Sequence, residues 1–352
     1  MTFTLAIVIA GIVMVALNAY VLLAGADFGG GVWDLLASGP RRAEQRALIA
    51  EAIGPIWEAN HVWLILVVVL LFTCFPAVYA GLAIALHIPL TLMLVGIVLR
   101  GSAFAFRSYG SSEDAPQRRW GRLFAIASLV TPLLLGVCIG AIASGRVGAV
   151  LEELNGVGAR ESFVSMFISP WLSPFTVAVG ALALSLFAFL AATYLTVEAE
   201  NATLREDFRR RALAAAIAVF VTAFLALLLA RWHAPRVSAG LLASSWAPVL
   251  HVLTAIAAIA AIAALWVRRW HMARVAVAAQ VTLILWGWAA TQAPYLVPPT
   301  LTVANAAAPS RTLALFLIAL ALGAIVLLPS ITYLFRVFKS SRAHEPGGSR
   351  AK

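Results

Sequence analysis

The 352 residues of the chain are 62% hydrophobic and only 11% charged, and the mean hydropathy is +0.96. These values exclude a soluble domain of this length and predict a membrane protein with many transmembrane helices. The net charge of +10 does not require a nucleic-acid partner, because basic loops beside a membrane account for it. The apolar runs lack the alternating pattern of a membrane β-barrel, so we expect an all-α, polytopic transmembrane helical bundle.

The apolar runs predict nine transmembrane helices, each long enough to cross roughly 30 Å of hydrocarbon. The predicted spans are residues 3–25, 55–75, 77–99, 121–143, 170–195, 211–230, 247–267, 274–292 and 312–338. Residues 1–338 therefore form one integral membrane domain. The tail, residues 339–352, is rich in Ser, Gly and charged residues and is predicted to be disordered and cytoplasmic.

The basic residues are distributed unequally among the loops. Of the 25 Lys and Arg residues, 20 lie after the odd-numbered spans and 5 lie on the other side. Because positively charged loops stay on the cytoplasmic side, this distribution predicts that the N-terminus is outside and the C-terminus inside. The first span lacks a basic leader and a clear cleavage site, so we expect it to be retained in the protein.

The first ionisable side chain near an apolar run is Asp27, which follows the first span by about one turn. Gly29, Gly30 and Gly31 come next. Glycines weaken a helix, but they allow another helix or a ligand to approach the backbone closely. The triplet lacks the GxGxxG spacing of a dinucleotide-binding loop, so it does not indicate a phosphate site.

The second span begins with Pro55, which fits the first turn of a helix, and continues as WEANH. Glu58 and His61 are three residues apart and therefore share a helical face. Trp57, one turn before His61, and Asn60 are candidates for structural support of this pair. A carboxylate and an imidazole in an apolar helix are costly, so a functional role is the first interpretation.

The third span ends with Arg100 and, seven residues later, Arg107 on the same helical stripe. The predicted topology brings these arginines, Asp27 and the pair of Glu58 and His61 to the inner ends of three consecutive helices. Carboxylates and imidazoles bind and release protons, so Asp27, Glu58 and His61 are candidates for a proton path. The alternative is that these residues anchor helix ends and form ion pairs with the arginines.

Several motifs of the chain resemble subunit II of cytochrome bd-type quinol oxidases, including the cyanide-insensitive branch. The motifs are GADFGGGVWDLLA, GPIWEANHVWL, FPAVYAGL, LRGSAF followed by FRS, and WGWAATQAPYLVPPTLTVANAAAPSRTL. They run in the family's order from the first span to the ninth. The second-span motif and the WGWA…PYLVPP motif are specific in combination, whereas the Gly-rich motif alone is weak.

The resemblance implies a haem-free membrane subunit in a heterodimer with a larger subunit I. Subunit I carries the haems, b-type and d-type or b-type only, and oxidises quinol; the complex reduces dioxygen to water. The resemblance implies a multi-pass protein of the bacterial cytoplasmic (inner) membrane, in contact with lipid. It also allows for a structural quinone and a small accessory subunit, and for a role of this chain in assembly of subunit I and in delivery of cytoplasmic protons.

The resemblance also implies roles for individual residues. Asp27 matches the aspartate of the family's Gly-rich motif, and Glu58 falls at the acidic position after Trp57. Arg100 and Arg107 match the arginines that close the third span.

The chain departs from the family pattern at three places. Ala24 and Ala105 stand where acids are often found, and EANH replaces Asp-Gly-Asn-Glu or Asp-Gly-Asn-Gln. A chain of several carboxylates is thereby reduced to Glu58 with Asp27 or His61. Either His61 serves as the relay, or protons reach the oxygen-reducing site mainly through subunit I.

Two other functions compete with proton delivery in an oxidase. The chain could be a purely structural scaffold for the haem-bearing subunit. A secondary transporter is less well supported. The polar groups of a transporter lie near the middle of the membrane, whereas those of this chain cluster near one face. Haem ligation through His61 or His87 is not favoured, because the family positions are not invariably His. We therefore expect no metal or cofactor bound through side chains of this chain.

Overall fold

Long helices account for the membrane domain. The computed structural model describes residues 2–54, 57–109, 114–156 and 162–340. Within these ranges, nine helices are long and apolar enough to cross a membrane. This result confirms the all-α, nine-span fold expected from the sequence. The helical fold follows from the membrane environment, because the hydrocarbon of the bilayer offers backbone polar groups no hydrogen-bond partner outside the helix itself.

The described elements are, in chain order, α1 (Thr2–Leu35), α2 (Arg42–Ile53), α3 (Trp57–Cys74), α4 (Pro76–Ala85), α5 (His87–Tyr109), α6 (Asp114–Ala143), α7 (Arg146–Asn155), α8 (Phe163–Phe167), α9 (Pro174–Glu198), α10 (Ala202–His233), α11 (Pro235–Ala243), α12 (Ala247–Trp266), α13 (Trp270–Gln292), β1 (Tyr295–Val297), β2 (Leu301–Thr302) and α14 (Ser310–Ser340). The helices with the length and hydropathy of membrane spans are α1, α3, α5, α6, α9, α10, α12, α13 and α14.

Helix α1 is longer than predicted. The first span was expected to end at residue 25, but the helix continues through the glycines to Leu35. The glycines bring the backbone of α1 against α2, α6 and α9. These tertiary contacts offset the weak helix propensity of glycine, which is why the local sequence misplaced the end.

The third span also differs from the prediction of one helix over residues 77–99. The chain forms α4, which ends at Ala85, and a separate helix α5, which begins at His87. Pro89 explains the break, because its ring would clash with the carbonyl of Ala85 in a continuous helix. Within α5, Pro89 lies in the first turn, where a missing N–H costs little.

Two other predicted boundaries can be compared with the structure. Helix α10 starts at Ala202, well before the predicted span 211–230, and the Asn201 side chain caps it by accepting from the Thr203 N–H. Helix α14 runs to Ser340, so the first residues of the predicted disordered tail are helical. The rest of the tail, residues 341–352, and Pro55 lie outside the described residues.

A small hairpin follows α13. The prolines after Gln292 predicted a helix end there, and α13 does end at that residue. Strands β1 and β2, which the sequence analysis did not predict, pair antiparallel immediately afterwards. Further along, the Ala308 N–H donates to the Cys74 carbonyl at 2.9 Å. This bond fixes the connection before α14 against the end of α3.

Helix α9 occupies the centre of the bundle and contacts α1, α6, α10 and α13. Its contact with α6 is close, because Gly136 on α6 and Gly180 on α9 face each other's backbone. A Cβ at Gly136 would lie 2.7 Å from the Cα of Gly180. Such small residues allow helices in a membrane to pack tightly, and they account for the short α6–α9 separation.

Helix α2 lies beside the Gly-rich part of α1 and is held there from two sides. Ile49 and Ile53 are buried, and Ile53 packs against Gly30. Arg41, at the start of α2, donates from Nε and Nη2 to the Asp207 carboxylate on α10 at 2.8 and 2.7 Å. This bidentate pair joins the short helix to the end of a membrane-spanning one.

Candidate functional site

Asp27 on α1 and Asn60 on α3 form the centre of the candidate site. The Asn60 amide Nδ2 donates to Asp27 Oδ2 at 2.6 Å, and the two residues are only 5% and 1% exposed. A carboxylate removed from water needs such a donor, because an unpaired buried charge is costly. The neutral amide therefore gives the buried carboxyl group a hydrogen-bond partner.

Arg100 on α5 brings a second buried charge to the site. It is 1% exposed, and its guanidinium Cζ lies 4.7 Å from the Phe28 ring centroid and 5.3 Å from that of Phe124. Its Nε donates to the Ser128 hydroxyl on α6 at 3.3 Å, and its charge attracts that of Asp27. The aromatic faces and the carboxylate together make a buried cation tolerable.

His61 lies between aromatic rings next to this pair. Its ring centroid is 5.9 Å from those of Tyr20 and Phe28 and 6.2 Å from that of Trp57. Tyr20 lies seven residues before Asp27, on the same face of α1. The buried Nδ1 of His61 has no hydrogen-bond partner among the described residues. An imidazole with an unused ring nitrogen can accept or pass on a proton.

Glu58 does not join the buried group. Its side chain is exposed, whereas Asn60, two residues further along α3, is buried. The expected pair of Glu58 and His61 therefore forms no hydrogen bond in the described structure, although the two residues are one turn apart. Arg107 lies on α5 as expected, but its side chain is outside the described residues.

The glycines after Asp27 allow the surrounding helices to approach. A Cβ at Gly29 would collide with the Phe187 carbonyl oxygen on α9, and one at Gly31 would collide with the Ser128 hydroxyl on α6. Gly31 thus makes room for the hydroxyl that accepts from Arg100. The triplet is a packing device that places partners around the site, which agrees with the close backbone approach predicted from the sequence.

Alanines occupy the two positions where the resemblance leads one to expect acids. Ala24 is fully buried one turn before Asp27, and Ala105 on α5 is half-buried. Among the residues that the structure describes, the buried carboxylates are Asp27 and Asp34. Asp34 lies near the end of α1, where the Arg46 Nε is 3.7 Å from its Oδ2. Asp27 is therefore the buried carboxylate that contacts the second span.

Sequence reasoning missed the residues that surround the predicted ones. Ser128, Phe124, Phe28 and Tyr20 all contact Arg100 or His61, yet none was singled out. Ser128 carried one signal, because it is a polar residue inside the fourth apolar run. The aromatic residues carried none, since Phe and Tyr are common in membrane spans.

The site does not have the composition of a metal or haem centre. Over the described ranges there is no group of three or more His, Cys, Asp or Glu side chains that could hold a metal ion. A haem on His61 would have to displace the rings of Tyr20, Phe28 and Trp57, which pack around the imidazole. The residues present therefore do not fit an axial haem ligand.

Comparison with known proteins gives the family of the chain. The family model described as cytochrome bd terminal oxidase subunit II matches residues 5–338. The chain belongs to this family. The match spans all nine membrane helices, and it includes every residue of the Asp27 site.

Individual relatives of the family are more distant. The chain is 35% identical over 127 residues to a cytochrome bd ubiquinol oxidase subunit 2 of Bacillus subtilis (strain 168), covering 36% of each chain. It is 28% identical over 211 residues to the cytochrome bd-I ubiquinol oxidase subunit 2 of Escherichia coli (strain K12), covering 60% of this chain and 52% of that protein. The aligned regions thus span only about a third and a half of these two relatives.

A solved structure supports the fold over the full length. The bd oxidase from Geobacillus thermodenitrificans contains a chain that matches with a TM-score of 0.77 and 23% identity. The match covers 95% of this chain and 98% of that one. At this level of identity the likeness establishes the arrangement of the helices and leaves the chemistry to the residues described above.

Proposed function

We propose that this chain is the haem-free membrane subunit II of a bacterial quinol:dioxygen oxidoreductase. Family membership over residues 5–338 and the nine apolar helices support this proposal. A haem-bearing subunit I would be its partner, with b-type and d-type haems or b-type haems only. The E. coli relative is named as a ubiquinol oxidase subunit, so quinol and dioxygen are the substrates proposed for the complex.

We further propose that this subunit delivers protons for the reduction of oxygen. Reduction of dioxygen to water consumes one proton for each electron. The observation that carries the proposal is the buried Asp27, held by Asn60 and attracted by Arg100, together with His61, whose ring packs against Phe28, the residue after Asp27. Ionisable groups inside a membrane protein mark functional paths more often than structural ones.

Each residue has a distinct proposed role. Glu58, exposed at the start of α3, collects protons at the surface, and Asp27 takes them up in the interior. His61 passes them on, since its ring lies beside Tyr20 and Phe28 and its Nδ1 has no hydrogen-bond partner among the described residues. Asn60 and Arg100 act as positioning residues, because they hold the Asp27 carboxyl group and offset its charge.

The proposed direction of proton uptake follows from the charge of the loops. Since 20 of the 25 basic residues lie on one side, that side is the cytoplasm in our proposal, and the N-terminus is outside. Protons would be taken from the cytoplasm, while electrons come from quinol oxidised near the outer face. This separation of charge generates a membrane potential without a pump. A structural quinone and a small accessory subunit remain compatible with this assignment.

One observation favours the alternative of a scaffold without a proton role. Asp27 and Arg100 compensate each other's charge, and buried charges of this kind also specify how helices pack. In that case the site would serve the assembly of subunit I. The two functions predict different results for variants that remove one charge or both.

The test uses the purified complex with its haem-bearing subunit. Asp27→Asn keeps the size of the side chain but removes its proton exchange, so oxygen uptake should fall at least about tenfold. Asp27→Asn also leaves Arg100 unbalanced, and the double variant Asp27→Asn/Arg100→Gln removes both charges. We expect the double variant to recover the haem spectrum and thermal stability of the wild type without recovering oxygen uptake.

The matched control is Ser165→Ala on α8, a partly exposed residue that is not part of the buried group, which should leave oxygen uptake and the haem spectrum unchanged. If the double variant regained both stability and oxygen uptake, Asp27 would be a scaffold residue. If the double variant lost the haem spectrum as well, the site would serve assembly. Either result would remove the proton role.

A further inference from the structure

A charged cleft lies where the start of α10 meets the turn between α12 and α13. It has a volume of about 630 Å³ and is open to solvent. Its lining includes Arg41, Arg205, Arg210, Arg268, Thr203 and Trp270. Glu206 and Asp207 also line it, so four cations face two carboxylates and an excess of positive charge remains. The cleft lies apart from the Asp27 site, and none of its lining residues belongs to that site.

The two carboxylates of the cleft are already bound by other groups. Asp207 accepts two hydrogen bonds from Arg41 and one, at 3.1 Å, from the Gln45 amide. Glu206 accepts from Nε and Nη2 of Arg209 at 2.7 to 3.0 Å. These charge-assisted bonds are the short contacts of the two carboxylates, and Arg210 and Arg268 lie further from Glu206, at ion-pair distance.

Arg210 and Arg268 pair with Glu206 only at longer range, so their N–H donors can still reach a ligand. Their Nε atoms lie 3.7 and 3.6 Å from Glu206 oxygens, beyond the usual hydrogen-bond distance. Their side chains are 76% and 65% exposed. Arg268 also has a positive φ of 60°, a conformation for which glycine is preferred. A long basic residue therefore stands in this turn at a position where backbone geometry favours glycine.

The surroundings of the cleft correspond to the interfacial level of a membrane. Trp266, at the end of α12, is 70% exposed, and Trp270 lines the cleft itself. Tryptophan prefers the boundary between lipid headgroups and acyl chains. Beyond the cleft, α10, α12 and α13 carry exposed apolar side chains, among them Ile217, Phe220, Ile259, Ile262 and Val275. An acyl chain next to the arginines would therefore meet an apolar surface.

We propose that this cleft binds the headgroup of an anionic phospholipid, with Arg210 and Arg268 as the main donors to its phosphate. Planar guanidinium groups match phosphate oxygens and remain charged at every physiological pH. The acyl chains lie against the apolar faces of α10 and α12. By the charge of the loops this is the cytoplasmic leaflet, where basic pockets between helices bind anionic lipid. The proposal does not depend on the proton role of Asp27.

The test measures lipid binding by the purified complex in detergent. The probes are dioctanoyl-phosphatidylglycerol, dioctanoyl-phosphatidylcholine and inorganic phosphate, added separately. Arg210→Gln and Arg268→Gly should each weaken phosphatidylglycerol binding about fivefold, and the double variant about 25-fold, since each arginine near a headgroup contributes comparably. Phosphatidylcholine and phosphate should bind more weakly than phosphatidylglycerol to the wild type and should not displace it.

Two features make the test decisive. Arg268→Gly removes a donor while relieving the backbone, so its thermal midpoint should stay equal or rise although lipid binding falls. Arg122→Gln, an exposed arginine on α6 outside the cleft, is the control and should bind phosphatidylglycerol like the wild type. Equal loss in the control would indicate non-specific attraction. Equal affinity for phosphate would indicate a soluble anion, and unchanged binding by the double variant would remove the site; each result overturns the proposal.

Discussion

Arg100 shows how a single buried charge organises residues from several helices. Its guanidinium group lies between the rings of Phe28 and Phe124, and a hydroxyl, that of Ser128, accepts its Nε–H. The Nη2 atom has no hydrogen-bond partner among the described residues. A cation this poorly hydrated is tolerated because Asp27 lies near it. Because a buried cation without a counter-charge is costly, the position of Arg100 on the third span depends on the nearby carboxylate of Asp27 on the first span.

His61 offers the sharpest test of the site at the scale of one residue. His61→Phe removes the unpartnered Nδ1 and keeps an aromatic ring among Tyr20, Phe28 and Trp57. Because an unsatisfied buried nitrogen costs about 1–3 kcal/mol, the free energy of unfolding should stay equal or rise slightly. Oxygen uptake by the complex should fall about tenfold if the imidazole relays protons.

The companion variant is His61→Gln, which retains polar atoms that can hold a water molecule. It should recover part of the oxygen uptake lost in His61→Phe while the haem spectrum stays constant in both. A His61→Phe complex that consumed oxygen at the wild-type rate would rule out the relay.

The sequence predicted most of the central residues of the site but not their arrangement. Asp27, His61 and Arg100 stood out because ionisable groups are rare in apolar helices. Helical spacing also placed Glu58 on the face of His61, but the structure leaves Glu58 exposed. Helix α3 is apolar on all sides, so nothing in its sequence shows which side faces the bundle. Contacts such as that of Ser128 depend on packing between distant segments and could not be predicted.

At the scale of the helix, the glycines of α1 determine how closely its neighbours approach. Gly29→Ala would place a methyl group against the Phe187 carbonyl oxygen, which belongs to the backbone of α9 and cannot rotate away. Overpacking of this kind costs typically about 1–3 kcal/mol. We therefore expect a lower thermal midpoint for the Gly29→Ala complex, measured by differential scanning calorimetry or by loss of the haem spectrum on heating.

Gly11→Ala is the matched control for this change, since it lies on the same helix and a Cβ there meets nothing within 4 Å. Alanine is the better helix former by about 1 kcal/mol, so this variant should be equally stable or more stable than the wild type. Equal behaviour of the two variants would show that the glycines near Asp27 are not required for close packing.

Element boundaries show where local sequence rules hold and where they fail. The nine spans were predicted because hydropathy over about twenty residues is imposed by the bilayer itself. The break between α4 and α5 was missed, although Pro89 was visible in the sequence, because a proline can also be accommodated by a kink. The β1–β2 hairpin was missed because strands of three and two residues give too short a pattern to recognise.

At the scale of the whole molecule, apolar surfaces face the membrane and basic residues concentrate on one side of it. Leu313, near the start of α14, is buried and the helix contacts α1 and α3, but its most apolar stretch contains no buried residue, so lipid or another protein covers the outward side of that stretch. The basic residues lie mainly in the loops that follow the odd-numbered spans. The Asp27 site and the arginine cleft both belong to the side that the loop charges assign to the cytoplasm. The direction of proton uptake and the leaflet of the bound lipid therefore depend on one orientation.

Cysteine labelling of intact cells tests this orientation directly. Cys74 and Cys138 are buried, so they contribute little background. Glu44→Cys on α2 and Glu152→Cys on α7 replace exposed residues that the topology places on opposite sides. A membrane-impermeant maleimide added outside should label residue 152 at once and residue 44 only after the membrane is permeabilised. The reverse order would place the Asp27 site at the outer face, and proton uptake there would no longer separate charge across the membrane.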